Sequence, residues 1–541
     1  HLAALERRRP SGFLAFPLLL GHVHSAPKDS LVSVASRPGP PGASISGVPR
    51  FTEAQPDKRI GAAAIALHVI ALLLAGAVLG VVVATYPFNP APITVGLVVY
   101  AAVLIRWPAS WLWFVPAALP IVDLAPLTGR FYFDEFDALV LITLATGIWA
   151  VASRRQSVTG SLRAFLWLAP LVASVVTSAA IGASPLAPLD ANAFTSYFSN
   201  YNALRVAKGF IWSFALLPLV VAATNGGVDV KRRFALGTVV GLAGVVVLAV
   251  WERVAYPGLF NPQRDFRIGG FVSSMHMGGG HIETYLLLAM PFLLPLAAHS
   301  KSALPRIACA ALFVAATYAL VVTFSRGAYG GYIAMVLILL LTASCTSAFV
   351  RIRWLIGVLA AAAVALVVAA PFVTGTYAKS RFDTIAADVH ARIEHWRDAV
   401  QIMAPGGTTR VFGMGLGRFP QSYLYGNREG RRPVAFRYES DSAGTYLRLG
   451  SGDPLYVEQI VDVASGQRYQ LSLRMRSNIV NALMNVLICE RTYLYSYGCT
   501  SATFVSGRNV GEWEQRAATI DSGRLGAGRW PARRPVKLSL E

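Results

Sequence analysis

The sequence predicts an all-α polytopic membrane domain of about eleven transmembrane helices, followed by an antiparallel β-sandwich module of jelly-roll type. Three observations predict it. Of 541 residues, 55% are hydrophobic and 14% are charged, a balance too apolar for a soluble domain and too poor in charge for a disordered chain. Apolar windows of about 18 residues or more recur between residues 61 and 373, long enough to cross a bilayer as helices. Beyond Pro433 apolar and polar residues alternate at period two, in "GTYLRL", "LYVEQIVDV", "RYQLSLRMRS", "LMNVLICE" and "PVKLSL", the spacing of half-buried strands.

The elements follow in order. Residues 1–60, rich in Pro, Ser and Arg, read as a disordered N-terminal segment, and their run "GFLAFPLLLG" is too brief to span. Spans are expected at 61–85, 92–105, 109–124, 136–152, 164–182, 206–224, 234–252, 281–299, 307–324, 328–345 and 354–373, the second and third being short and proline-interrupted. Arg106, Arg154, Arg155, Arg163, Lys231, Arg232, Arg233, Lys301, Arg306, Arg351 and Arg353 fall in alternate loops. The positive-inside rule places those loops and the N-terminus in the cytoplasm. An odd number of spans then places everything beyond Val373 outside. The formal charge of +20 suggests nucleic acid, but much of the excess flanks the spans. The bilayer, and no nucleic acid, is therefore the expected partner.

Residues 374–432 read as an outward loop. In "RFDTIAADVHARIEHWRDAVQIM", Ile385, Val389, Ile393, Trp396 and Val400 recur at helical spacing, marking an amphipathic surface helix that carries His390 and His395. "GMGLGRF", Gly413 to Phe419, has neither a preceding strand nor a Walker lysine, so it reads as a glycine turn packed on the membrane domain rather than a nucleotide loop. Residues 433–541 form the β-module, whose interspersed aromatics suit carbohydrate binding and an ordinary sandwich core alike. Cys309 and Cys345 fall within spans as small buried hydrophobes. Cys489 and Cys499 can pair if their module lies outside the cytoplasm, and the sequence leaves that open.

Topology accounts for the inward basic residues but not for the outward ones. These are Arg205 in "YNALRVAKG", Arg264 and Arg267 in "NPQRDFRIGG", and Arg326 in "TFSRGAYGGYIAM", with His276, His281 and Glu283 in "HMGGGHIE" between them. One outward arginine can meet headgroup phosphates. Several on one face suggest a convergent cationic pocket, since guanidinium forks match phosphate oxygens and stay charged. Arg326 has no acidic residue near it in sequence and needs a negative partner. No acidic cluster is expected on the outward face, which agrees with a site where arginines supply the positive charge and neither a metal nor another cofactor is required.

The segments "RIGGFVSSMHMGGGHIETYLLLAMP", "TFSRGAYGGYIAM" and "RIEHWRDAVQIM…GMGLGRF" occur in the order seen in O-antigen ligase and O-antigen polymerase-type membrane proteins. Over roughly 200–425 the chain resembles that family. The resemblance implies a GT-C-like helical fold in the bacterial inner membrane. It also implies an inverting, metal-independent glycosyltransferase that moves a glycan from an undecaprenyl-diphosphate carrier to an acceptor hydroxyl on the periplasmic side. The acceptor would be lipid A core or a growing polysaccharide. By the same resemblance Arg326, Arg264, Arg267 and Arg205 bind the diphosphate, which becomes the expected negative partner of Arg326, and Arg392 contacts diphosphate or glycan. Family members carry a histidine in the large outward loop, whereas no histidine follows "GMGLGRFPQSY" here. The base that takes the acceptor proton is then His281, Glu283 or His276, or it lies beyond Glu541, where the odd span count leads us to expect further spans. Ligase and polymerase stay unseparated, with the β-module tilting towards an exopolysaccharide polymerase. A lipid-linked glycan flippase and a non-catalytic assembly subunit are the alternatives. Unexplained charge on one face only favours surface chemistry over alternating access.

Overall fold

The computed structural model describes residues 61–122, 124–269, 281–344, 348–404, 406–427, 436–442, 444–450, 457–492 and 495–540. The helices in chain order are α1 (Ala62–Thr85), α2 (Ala91–Arg106), α3 (Trp111–Ala118), α4 (Ala125–Thr128), α5 (Glu135–Arg154), α6 (Leu162–Ala183), α7 (Asn202–Asn225), α8 (Val230–Ala255), α9 (His281–Ala289), α10 (Leu293–His299), α11 (Ala303–Val321), α12 (Arg326–Ser344) and α13 (Ala348–Val373). Four short or surface helices follow, α14 (Thr376–Asp383), α15 (Ile385–Gln401), α16 (Gly407–Phe412) and α17 (Phe419–Gly426).

Among the described residues, seven helical segments are long and apolar enough to cross a membrane: α1, α5, α6, α7, α8, the stretch Ile282–His299, and α11. The helix α2 and the stretch Pro108–Ala118 pass only as a pair bent by 117°, making eight if they count as one span. Eleven separate spans are therefore more than length and hydropathy support here. The bend has a local cause. Trp107 leaves the helix at φ −130°, and Pro108 offers no N–H to continue the ladder. Helices α12 and α13 occupy the tenth and eleventh expected segments and pack on each other and on α11.

Successive helices run back and forth, so their ends sort into two sets. At one end the first turns of α5 and α7 meet, with Lys208 Nζ 2.6 Å from Asp134 and 2.8 Å from Asp137. At the other end Asn225 Nδ2 donates to Ser157 O at 3.0 Å, and Arg233 Nη1 donates to Ala109 O at 3.4 Å. Arg154, Arg155, Arg163, Lys231, Lys301 and Arg306 flank helix ends of this second set.

Small residues set the closest approaches. A Cβ on Gly237 of α8 would meet Trp113 Cα at 2.6 Å, and one on Gly241 would meet Pro116 O at 3.0 Å, so α3 lies backbone-close along α8. The main core gathers Leu242, Val245, Ala249, Leu286, Met290, Ala316, Ala319 and Val322, all fully buried. By contrast Trp167 of α6 is 84% exposed, the kind of surface that a membrane-length helix offers to lipid. Helix α15 buries no residue, and Ile385, Val389, Ile393, Trp396 and Val400 form an exposed apolar stripe along it.

The C-terminal region contains strands β1 (Phe436–Asp441), β2 (Gly444–Leu449), β3 (Val457–Ile460), β4 (Arg468–Met475), β5 (Leu483–Arg491), β6 (Ser496–Val505), β7 (Glu514–Asp521) and β8 (Val536–Leu540). They form antiparallel sheets in the orders β1-β2, β3-β8-β5-β6 and β4-β7. Tyr469, Leu471, Met475 and Ile520 from the β4-β7 pair pack with Val486, Ile488, Phe504 and Leu538 from the four-stranded sheet. Cys489 and Cys499 are direct cross-strand partners on β5 and β6 and form a disulfide, which settles the pairing the sequence leaves open.

Candidate functional site

The site is built on the segment that leaves α8. Arg253, in the last turn of that helix, is fully buried, and its Nη2 donates to Asn261 O at 2.6 Å. Tyr318 donates its hydroxyl to Leu259 O at 2.6 Å, so the turn after α8 is tied from two sides. The chain then lies across the bundle end as a strap. Phe266 and Ile268 are fully buried in the main core, while Arg264 and Asp265 are exposed and Arg267 is half-buried. Glu252 Oε1 accepts from Gly269 N at 3.1 Å and closes the strap.

Two arginines are displayed by this strap. Arg267 donates from Nε to Thr323 O at 2.8 Å and from its backbone N to Tyr495 Oη at 3.1 Å. Its Nη2 stands 3.7 Å from Glu283 Oε1, at the start of α9, where the Glu283 side chain is 5% exposed. Arg264 instead lies over the Tyr497 ring at 5.2 Å. That ring also faces Tyr256 at 4.8 Å and Arg534 at 4.5 Å. Burial pushes the phenols of Tyr495 and Tyr497 above their ordinary value, so both are neutral hydroxyls at any working pH.

Arg326 opens α12, and its counter-charge lies within the chain. Nη1 donates to Arg381 O at 2.7 Å, and Nη2 pairs with Asp388 of α15. The charges of Arg381 and Arg392 also act on that carboxylate. The sequence leads one to expect a lipid diphosphate as the negative partner of Arg326; the folded chain itself supplies a negative partner there, Asp388.

A second cluster sits where α5, α6 and α7 meet at the same end. Arg205 Nε donates to Asn202 Oδ1 at 2.7 Å and its guanidinium lies over Tyr197 at 4.7 Å. Asn202 Nδ2 in turn donates to Gly417 O at 2.7 Å, and Leu416 N donates to Ser178 O at 2.9 Å. These bonds fasten the glycine turn to the bundle. Gly415 and Gly417 sit at φ +95° and +73°, and a Cβ on Gly417 would meet Asn202 C at 2.6 Å, which is why glycine stands there. Beside it, Asp134 and Asp137 form a capping box on α5, and Asp137 Oδ1 accepts from Trp212 Nε1 at 2.7 Å. The bundle end that carries the arginines thus also carries Asp134, Glu135 and Asp137 at the start of α5, which the sequence reading did not single out. Its two aspartates are engaged by Lys208.

Arg264 and Arg267 share the strap, where Arg267 approaches Glu283 of α9, and Arg326 pairs with Asp388, on which the charge of Arg392 also acts. Arg205 stands with its own neighbours, Asn202 and Tyr197. His276 lies outside the described residues, as does the side chain of His281, the first residue of α9. Sequence reasoning missed Arg253, Lys208, Asp388 and Tyr495. Arg253 had a signal, since an Arg–Glu pair in the last turn of an apolar helix demands buried partners; Tyr495 had none. Chemically, Arg205 and Arg264 stand out: among the described residues neither has a carboxylate partner, and each guanidinium is braced on a ring. Such groups take a bidentate anion. Comparison with protein-family models, curated proteins and solved structures finds no match for this chain.

Proposed function

We propose that the protein transfers a glycan from a polyprenyl-diphosphate carrier to an acceptor hydroxyl at the outer face of a bacterial inner membrane. The observation that carries this reading is the uncompensated charge of Arg205 and Arg264 at the bundle end opposite the basic loops. In this reading the acceptor oxygen attacks the anomeric carbon and the bond to the diphosphate oxygen breaks with inversion. The bonding pair leaves on the diphosphate, where fixed guanidinium groups lower the barrier as charge develops. The acceptor's proton passes to a base, for which Glu283, 3.7 Å from Arg267, is the candidate with a described side chain, His281 and His276 being the other two candidates. The eleven expected segments would then all cross or enter the bilayer, with the N-terminus cytoplasmic. The C-terminal sheets would be a periplasmic jelly-roll-like module that binds the glycan chain. The Cys489–Cys499 disulfide supports that side, because disulfides persist in oxidising compartments.

Transfer assayed in membranes with a lipid-linked glycan tests the reading. Arg264→Ala removes a guanidinium whose described contact is a ring, so the fold should stand while transfer falls roughly 10²-fold. Arg306→Ala, at the opposite end, should leave transfer unchanged. Wild-type transfer by Arg264→Ala would refute the role.

A further inference from the structure

The β5–β6 hairpin does more than join two strands. Its disulfide links Cys489 to Cys499, and beyond that link the pairing shifts register between Glu490 and Arg491. The tip is closed by Thr492 N donating to Tyr495 O at 2.9 Å and Tyr495 N donating to Thr492 Oγ1 at 3.0 Å. Its base is anchored to the membrane helices as well. Glu490 accepts from Arg534 Nη1 at 3.0 Å, and Arg534 Nε donates to Ala255 O at the end of α8, also at 3.0 Å. From this base the tip reaches the arginine strap: Tyr495 stacks on Phe266 at 4.9 Å and accepts the Arg267 amide, while Tyr497 carries Arg264.

We propose that Tyr495 and Tyr497, held by the disulfide-closed hairpin, are positioning residues of the arginine site. They set where Arg267 and Arg264 stand, and the ligand so positioned is a prenyl diphosphate. The ligand class rests on the glycan-transfer reading; the positioning does not. The strap's backbone is otherwise tied near its ends, through Asn261 and Gly269, and between them the Tyr495 hydroxyl accepts from the Arg267 amide, the same hydroxyl also pairing with that of Tyr377. The Tyr497 ring is the described contact of the Arg264 fork. Neither contact is needed to hold the module, which already grips α8 through Arg534. The hairpin thus brings the C-terminal sheets into the site as one of its walls.

Two readouts on the full chain in detergent test this. Hydrogen exchange of peptides spanning 262–269 reports the Arg267 amide, and binding of farnesyl diphosphate reports the site. Tyr495→Phe keeps the ring but loses the acceptor. It should speed exchange at Arg267 and weaken farnesyl diphosphate binding about fivefold. Tyr497→Ala should weaken binding several-fold, and Tyr497→Phe, which keeps the ring face, should restore it. The Cys489→Ser, Cys499→Ser pair should reproduce the exchange increase while the sheets stay folded by circular dichroism. Unchanged exchange in both Tyr495→Phe and the double-serine chain would overturn the positioning role. If the wild-type chain fails to bind farnesyl diphosphate while exchange responds as stated, the glycan-transfer reading falls and the positioning role stands.

Discussion

Arg326 meets its counter-charge on a surface helix, and this decides how the residue behaves. Hydrogen bonding from Arg326, then the charges of Arg326, Arg381 and Arg392, hold the Asp388 carboxyl below the usual carboxylate range. A depressed folded-state value means the contact stabilises the docked helix at and above the ordinary carboxylate range. It is lost only as pH falls through the depressed value. Asp388→Asn removes the charge at every pH. Limited proteolysis within α14–α15 should therefore be slow in the wild type at neutral pH and speed up only in acid, while Asp388→Asn should be cut fast throughout. Equal rates in the two chains would show that the pair does not hold the helix. Asp388 was not legible as a partner because it lies 62 residues from Arg326, and linear sequence reports local neighbours only. The arginines themselves were legible, because a charge bordering an apolar span stands out in any window.

At the scale of elements, the glycine turn shows how a loop becomes part of a helical bundle. Gly182 closes α6 against Ala203 of α7, where an added Cβ would come within 3.0 Å, and the turn at Gly415–Gly417 fills the same junction. Gly415→Ala adds a methyl group against backbone at a positive φ. It should destabilise the chain by about 1–3 kcal/mol with early loss of the α16–α17 region, measured by thermal unfolding in detergent; an unchanged midpoint would show that the junction yields. The sequence made this turn readable through its glycines and the missing Walker lysine. The hydropathy signal made the helices readable because lipid-facing side chains such as Leu72 and Leu73 carry it without help from tertiary contacts. The bend between α2 and α3 was harder. "RWP" announces a break, but nothing local says that α3 then lies backbone-close along the glycines of α8.

For the whole molecule, the sorting of helix ends separates basic loops from the arginine strap and the C-terminal sheets. Single cysteines can read that separation. An impermeant maleimide applied to intact cells whose outer barrier has been opened should label Gln515→Cys on β7 and spare Ser302→Cys between α10 and α11. Labelling of Ser302→Cys alone would invert the orientation, and equal labelling of both would remove it. Charge placement alone predicts this, and the Cys489–Cys499 bond agrees with it. The joining of sheet and bundle through Tyr495, Tyr497 and Arg534 lay beyond sequence reading, since nothing in a strand pattern says what its hairpin tip touches.

The stripe along α15 bears on handling. Ile385, Val389, Ile393, Trp396 and Val400 add exposed apolar surface to that of the membrane-length helices. A nanodisc or micelle sized to those helices alone would leave the stripe bare, and bare stripes on neighbouring particles adhere. Reconstitution thus calls for enough detergent or lipid to cover one amphipathic helix beyond the spans.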